Sequence, residues 1–275
     1  MALSINQNIM AMNSYRNLSA TQGGLAKSLE KLSSGFRVNR AADDAAGLGI
    51  SEGLRSQVRG NGQAVRNAQD GISLVQTAEG ALNEVHDMLQ RMRVLAVQGA
   101  NGTNSEANKG SINEELTALS EEIGRIGKVT DFNGLKLLDG DHTVTFQVGA
   151  NATADDTIAV KSQNISGYKD DLNGKITAAK DNKTYQALIT ELDKKIADAS
   201  TKRGSFGAVQ NRFEHTINNL NVAVENLAAS ESRIRDTDMA AEMMQFTRGQ
   251  ILSQAGTAML AQANQVPQGV LSLLR

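Results

Sequence analysis

VQTAEGALNEVHDMLQRMRVLA, residues 75–96, places apolar side chains at Val75, Ala78, Leu82, Val85, Leu89, Met92 and Ala96, in steps that alternate three and four. That spacing lines one face of an α-helix and predicts the seam of long helices packed side by side. It recurs on both sides: Leu18, Leu25, Leu29 and Leu32; Ile112, Leu116, Leu119, Ile123 and Ile126; Phe206, Phe213, Ile217, Leu220, Val224 and Leu227, with Ile234 beyond. A stretch from Ile176 through Tyr185, Leu188, Leu192 and Ile196 reads as another helix or the start of the last long one.

The period changes between about residues 133 and 160. Thr143 to Val148 alternates, and Asp139–Gly140 supplies hairpin chemistry. The polar, glycine-containing NISGYKDDLNGK, residues 164–175, reads as a surface loop. The expected fold is mainly α: long antiparallel helices in a coiled-coil rod, with one small β-hairpin and a short variable segment over about 150–200.

Composition narrows function. The 275 residues carry a net charge of −2, which gives no bulk electrostatic case for nucleic acid or a membrane surface. With no Cys, disulfides and thiolate metal sites are excluded. Aromatic residues are 3% of the chain and Trp is absent, which is poor material for a ligand pocket. MALSINQNIMAMNSYR, residues 1–16, has neither a basic leader nor a continuous apolar run, so no cleavable secretory signal is expected. No apolar run reaches membrane-spanning length.

Two charged joints mirror each other. One, in LEKLSSGFRVNRAADDAAGLGISEGLRSQ (29–57), carries Arg37, Arg40, Asp43 and Asp44 among Ala, Gly and Ser; the other, ESRIRDTDMAAEM (231–243), carries Arg233, Arg235, Asp236 and Asp238. Outside the joints the ends are nearly uncharged. The first charged side chain is Arg16, and Gly249 to Leu274 has none. A solvated helix normally shows Lys and Glu. An amide- and hydroxyl-rich face suits a helix buried on both sides between copies of itself, where hydrogen bonds can satisfy it and unpaired charges could not be. The ends are therefore expected to be disordered alone and to fold on polymerisation. The alternative is that they pair with one another as a two-helix stalk.

The chain resembles the bacterial flagellins. The resemblance rests on SLEKLSSGFRVNRAADDAAGLGISEGLRSQVRG (28–60), NAQDGISLVQTAEGALNEVHDMLQRMRVLAVQ (67–98), DFNGLKLLDG (131–140), GAVQNRFEHTINNL (207–220) and ESRIRDTDMAAEMMQFTRGQILSQAGTAMLAQANQVPQGVLSLLR (231–275). It implies a short flagellin without large outer domains, a structural subunit rather than an enzyme, needing no cofactor. Residues 1–33 and 239–275 would form an inner coiled-coil layer, 34–46 and 228–238 the joint, and 47–227 the outer helices and hairpin. The eight joint charges would lock neighbouring subunits through charge-assisted hydrogen bonds.

The resemblance further implies export, unfolded, by the flagellar type III apparatus to an extracellular filament. An export chaperone would cover Met243, Phe246, Ile251, Met259, Leu260 and Leu271. Cap and junction proteins would meet the filament, and the animal Toll-like receptor that senses flagellin would contact Arg91, Leu95 and Glu115. Val94 stands where many flagellins have Glu. A hook–filament junction protein is the alternative reading.

Other chemistry finds no pattern. His86, His142 and His215 lack ligand spacing, and His215 is expected on a helix seam. GLGISEG lacks the context of a nucleotide loop, and Asp236 and Asp238 lack the rest of a calcium loop.

Overall fold

A computed structural model describes residues 7–273, with side chains as far as residue 265. Among the described residues there are six α-helices and two antiparallel strand pairs, in the order α1 (Ile9–Ser34), α2 (Ala45–Gly99), α3 (Glu106–Val129), β1 (Asp131–Phe132), β2 (Leu135–Lys136), β3 (Thr143–Gln147), β4 (Thr157–Lys161), α4 (Gly167–Ala178), α5 (Asn182–Arg235) and α6 (Met239–Leu273). The chain divides into two compact units. One is Met1–Ser56 with Glu225–Arg275, and the other is Gln57–Val224.

In the second unit the seam of residues 75–96 is the core. Val75, Ala78, Leu82, Val85, Leu89, Met92 and Ala96 are all fully buried, with Leu116 and Ile123 from α3 and Leu188, Leu192, Phe206 and Phe213 from α5. Each helix brings one apolar stripe, and the stripes meet. Close approach of α2 and α5 depends on Gly71. A Cβ there would lie 2.6 Å from Cζ of Phe213. Phe213 is in turn held edge-on by Phe146 of β3, with ring centroids 5.6 Å apart and planes at 89°.

The β element is two hairpins rather than one. The first turns at Asn133–Gly134, both at positive φ (50° and 80°), the pairing that a two-residue turn favours. The second pairs β3 with β4 in the register Val144↔Val160 and Phe146↔Ile158. Asp139–Gly140 lies between β2 and β3, so it links the hairpins instead of closing one. The expected alternation in β3 is present, with Val144 and Phe146 turned inward.

The segment read as a surface loop contains helix α4. Tyr168, Leu172 and Ile176 recur every fourth residue and are all buried, a stripe too short to stand out beside its polar neighbours. α4 packs on α3, where the Ser120 hydroxyl donates to the Lys169 carbonyl at 3.3 Å. Toward α5, the Tyr168 hydroxyl donates to Asp198 at 2.6 Å, and the Lys195 and Lys202 ammonium groups each lie 5.0 Å from the centre of its ring. Burial and the adjacent carboxylate push the Tyr168 hydroxyl well above its usual range, so it remains a donor. Burial acts to raise the Asp198 carboxyl, but hydrogen bonds from Lys202 and Tyr168 outweigh it and hold it below the ordinary carboxylate range. His215 is exposed, beside the seam rather than in it.

In the first unit, α1 packs along α6. α1 starts on Asn8, whose side chain accepts the Ala11 amide at 3.0 Å, and ends on Gly35. Gly35 has φ 75°, a conformation that closes a helix and that glycine adopts without strain. Leu25 of α1 lies over Gly249, and Leu18 over Gly256, where a Cβ would meet the leucine side chain at 3.4 and 3.1 Å. The Asn8 amide donates to the Ala263 carbonyl at 2.8 Å. The two helices are thus antiparallel, with small residues at 249, 256 and 263 receiving side chains from α1.

Gly71→Ala should lower stability by about 1–2 kcal/mol, because the clash with Phe213 outweighs the roughly 1 kcal/mol that alanine gains in helix propensity. The urea midpoint of unfolding checks this, and an unchanged midpoint would show that the ring can yield.

Candidate functional site

The joints close on each other within the chain. The Arg37 amide donates to the Arg235 carbonyl at 2.6 Å, and the Thr237 amide to the Gly35 carbonyl at 2.9 Å; Phe36 and Asp236 form an antiparallel bridge. The Arg37 guanidinium donates to the Ile234 carbonyl at 2.8 Å. The Arg235 guanidinium lies 4.8 Å from the centre of the Phe36 ring and pairs with Glu52 at 2.5 Å. Below it, Arg55 pairs with Glu231 at 2.8 Å, both largely shielded from solvent. Val38 is buried under this clasp.

The remaining joint charges act locally. Asp43 accepts the amides of Asn39 and Arg40, at 3.3 and 3.0 Å. The Arg40 amide is the main reason its carboxyl sits below the usual range. Asp44 accepts the Gly47 amide at 2.8 Å at the start of α2, and Asp238 accepts those of Ala240 and Ala241 at the start of α6. These are the positions where a carboxylate satisfies orphan helix donors and meets the positive end of the helix dipole. Arg40 pairs with Glu30 at 2.8 Å, and Arg233 donates to the Ser230 hydroxyl at 2.9 Å. Asp236 joins through its backbone and is exposed.

Reading by sequence found the eight joint charges but missed Glu30, Glu52, Arg55 and Glu231. The signal was present: Glu52 and Arg55 fall three apart on one helix face, opposite the basic residues of the second joint.

The apolar residues of the two ends are only partly covered. On α6, Met243, Met244, Ile251, Leu252 and Met259 are exposed, while Phe246 and Leu260 are half-buried against α1. Leu271 lies outside the residues whose side chains are described. On α1, Ile9, Met10, Met12, Tyr15 and Leu29 are exposed. Both ends do pair, as in the two-helix alternative, and each still leaves large apolar side chains uncovered. At about 100° per residue, Met243, Met244 and Ile251 fall on the side of α6 away from Gly249, Gly256 and Ala263, while Leu252 and Met259 flank that line and still stay exposed. A helix with large apolar residues on more than one face is a helix with more than one packing partner.

Residues 5–143 match the family model described as bacterial flagellin N-terminal helical region, and residues 189–274 match the bacterial flagellin C-terminal helical region. The chain is 53% identical over 272 residues to a flagellin of Halalkalibacterium halodurans, covering 98% of this chain and 99% of that one. It is 48% identical to a flagellin of Bacillus subtilis, at the same coverage of each chain.

The chain belongs to the bacterial flagellin family.

It is a short-form flagellin, a structural subunit of the flagellar filament. Because the relatives that match end to end are flagellins, the junction-protein reading is not favoured. Among solved structures, the crystal structure of Bacillus cereus flagellin is 32% identical and covers 60% of this chain and 94% of that one, with a TM-score of 0.47. No helix among the described residues is long and apolar enough to cross a membrane.

In this flagellin the three receptor candidates separate. Arg91 and Glu115 form an exposed pair joining α2 to α3, in which Nε and one terminal nitrogen of Arg91 both donate to one carboxylate oxygen, at 3.0 and 2.7 Å. Leu95 is 2% exposed and belongs to the core, so it has no surface to offer a partner; Val94 and Val97 are the exposed apolar residues beside it. The step from Arg91 to Leu95 stays on one helix face, but that face turns inward one turn later.

Arg235→Ala removes the Glu52 pair and the contact with Phe36 together. It should cost the joint about 1–2 kcal/mol and raise amide exchange at residues 35–38 roughly tenfold. Exchange measured by mass spectrometry checks this, and unchanged protection would show that the backbone bridge suffices.

Proposed function

We propose that this flagellin polymerises by burying, between copies of itself, the apolar faces that α1 and α6 leave uncovered. The single observation that carries this is α6 itself. It lacks charge from Gly249 to Leu274, packs small residues against α1, and still exposes Met243, Met244 and Ile251 on its far side, with Leu252 and Met259 open beside the contact. Residues 1–33 and 239–275 would form the inner layer, 34–46 and 228–238 the joint, and 47–227 the outer helices. A pair of helices covered on one side only is marginal, so the ends reach their full order as neighbours arrive. The clasp holds the joint within one subunit, leaving the exposed Arg40, Arg233 and Asp236 as the charges that reach a neighbour.

Before assembly the same faces need cover. Export unfolded through the flagellar type III apparatus, with a chaperone on α6 at Met243, Phe246, Ile251, Met259 and Leu260, supplies it. This places the assembled protein outside the cell, where cap and junction proteins bound the filament. Recognition by the animal Toll-like receptor would rest on Arg91 and Glu115, the exposed pair, with Leu95 supporting them from the core. Arg91→Ala should cut receptor-reporter activation by about tenfold, the scale of a lost charge-assisted contact. An undiminished response would remove the receptor from the list.

Ile251→Glu places a charge on the uncovered face without touching the pair with α1. Helix content and the melting of the second unit should be unchanged, while seeded elongation followed by electron microscopy should stop, because a buried unpaired carboxylate costs several kcal/mol. Normal filaments from this variant would place the contact elsewhere.

A further inference from the structure

Of the nine methionines, six lie exposed on α1 and α6: Met10, Met12, Met239, Met243, Met244 and Met259, with 48% to 67% of their surface open to solvent. Met92, in the second unit, is fully buried. The distribution is one-sided, because the faces left uncovered are built largely from thioethers where Leu or Ile would serve as apolar cover. The chain has no Cys and no Trp, so methionine sulfur is its most readily oxidised group.

We propose that these six methionines are a peroxide-sensitive modification site, whose oxidation holds the chain in its unassembled state. The inference rests on the reading that the α1 and α6 faces are buried on polymerisation. The oxidant is hydrogen peroxide. The sulfur lone pair attacks one peroxide oxygen, the O–O bond breaks and water leaves. Each sulfur gains one oxygen and gives up two electrons, which reduce the peroxide. The product is a sulfoxide, whose S–O dipole is polar where the thioether was apolar. A face dotted with such groups must desolvate them to pack, which costs free energy wherever no donor of the partner face meets the new oxygen. Assembly in turn shields the sulfurs, so the chain is sensitive only until it is built in. Enzymatic reduction of sulfoxide restores the thioether, which makes the block reversible.

The test uses the full chain, hydrogen peroxide as the probe, and seeded elongation as the readout. Peptide mass spectrometry should show the six terminal-helix methionines oxidising at least about tenfold faster than Met92 in the soluble chain, and the same six protected in preformed filaments, as their exposure dictates. Elongation of the treated chain should fall about tenfold or more relative to the untreated chain, as expected when polar atoms enter an apolar contact, and should return after methionine sulfoxide reductase.

A variant with all six changed to leucine is compared as its own treated-to-untreated ratio, which should stay near one whatever its basal rate. If that variant does not elongate, the reductase arm decides. Unchanged elongation of the treated wild-type chain, a loss that reductase does not reverse, or an equal loss in the leucine variant would each overturn the inference and leave the assembly reading standing. Failure of the untreated chain to elongate would overturn both.

Discussion

The antiparallel packing of α1 on α6 through small residues is the constraint on which the first unit depends. Gly249 and Gly256 lie under the side chains of Leu25 and Leu18, where a Cβ at 249 would touch and one at 256 would crowd the leucine. That economy has a consequence for the rest of α6. Because the contact uses glycine and alanine, it takes up only some of the helix's larger apolar residues, and Met243, Met244 and Ile251 remain outside. An ordinary two-helix stalk would turn its large side chains inward and charges outward. Here α6 offers mainly small residues to Leu18 and Leu25 of α1 and keeps Met243, Met244 and Ile251 on its outer side, a division that leaves each subunit apolar where another can cover it.

The joints show how charge can serve geometry rather than partner choice. Three of the four acidic residues cap backbone amides, two of them at helix starts, and Arg37 and Arg235 tie one joint to the other through carbonyls, a ring and Glu52. A chain that breaks its helix at Gly35 and again near Asp236 exposes several orphan donors and acceptors within a few residues. Those groups find partners in the opposing joint, so the mirrored charge patterns at the two ends of the sequence become one clasp.

The second unit follows a simpler rule. Three helices contribute one apolar stripe each, and the hairpin β3–β4 lays Val144 and Phe146 against them. α4 is added by a polar cluster as much as by its apolar stripe. Tyr168 is held protonated by burial and by Asp198, while two ammonium groups flank its ring. Low local dielectric makes each of those contacts depend on the others.

The seam at residues 75–96 was legible in full, because an α-helix repeats often enough over that length for pattern alone to separate buried from exposed. The same held for β3 and for the lack of charge at the ends, which pointed to contacts with other copies. α4 was not legible, since three buried residues in a glycine-rich polar stretch give no period strong enough to outweigh loop chemistry. Nor was the true hairpin turn, because Asn133–Gly134 and Asp139–Gly140 offer equivalent chemistry and only strand pairing chooses between them. The family motifs named Leu95 as a receptor contact, and the fold places it in the core. By itself the sequence determined the long helices, which of their faces are apolar and which family this is, all properties of local order. Tertiary structure alone decided which charges meet across nearly two hundred residues, and which apolar side chains stay uncovered, because both depend on groups brought together only when the chain has folded.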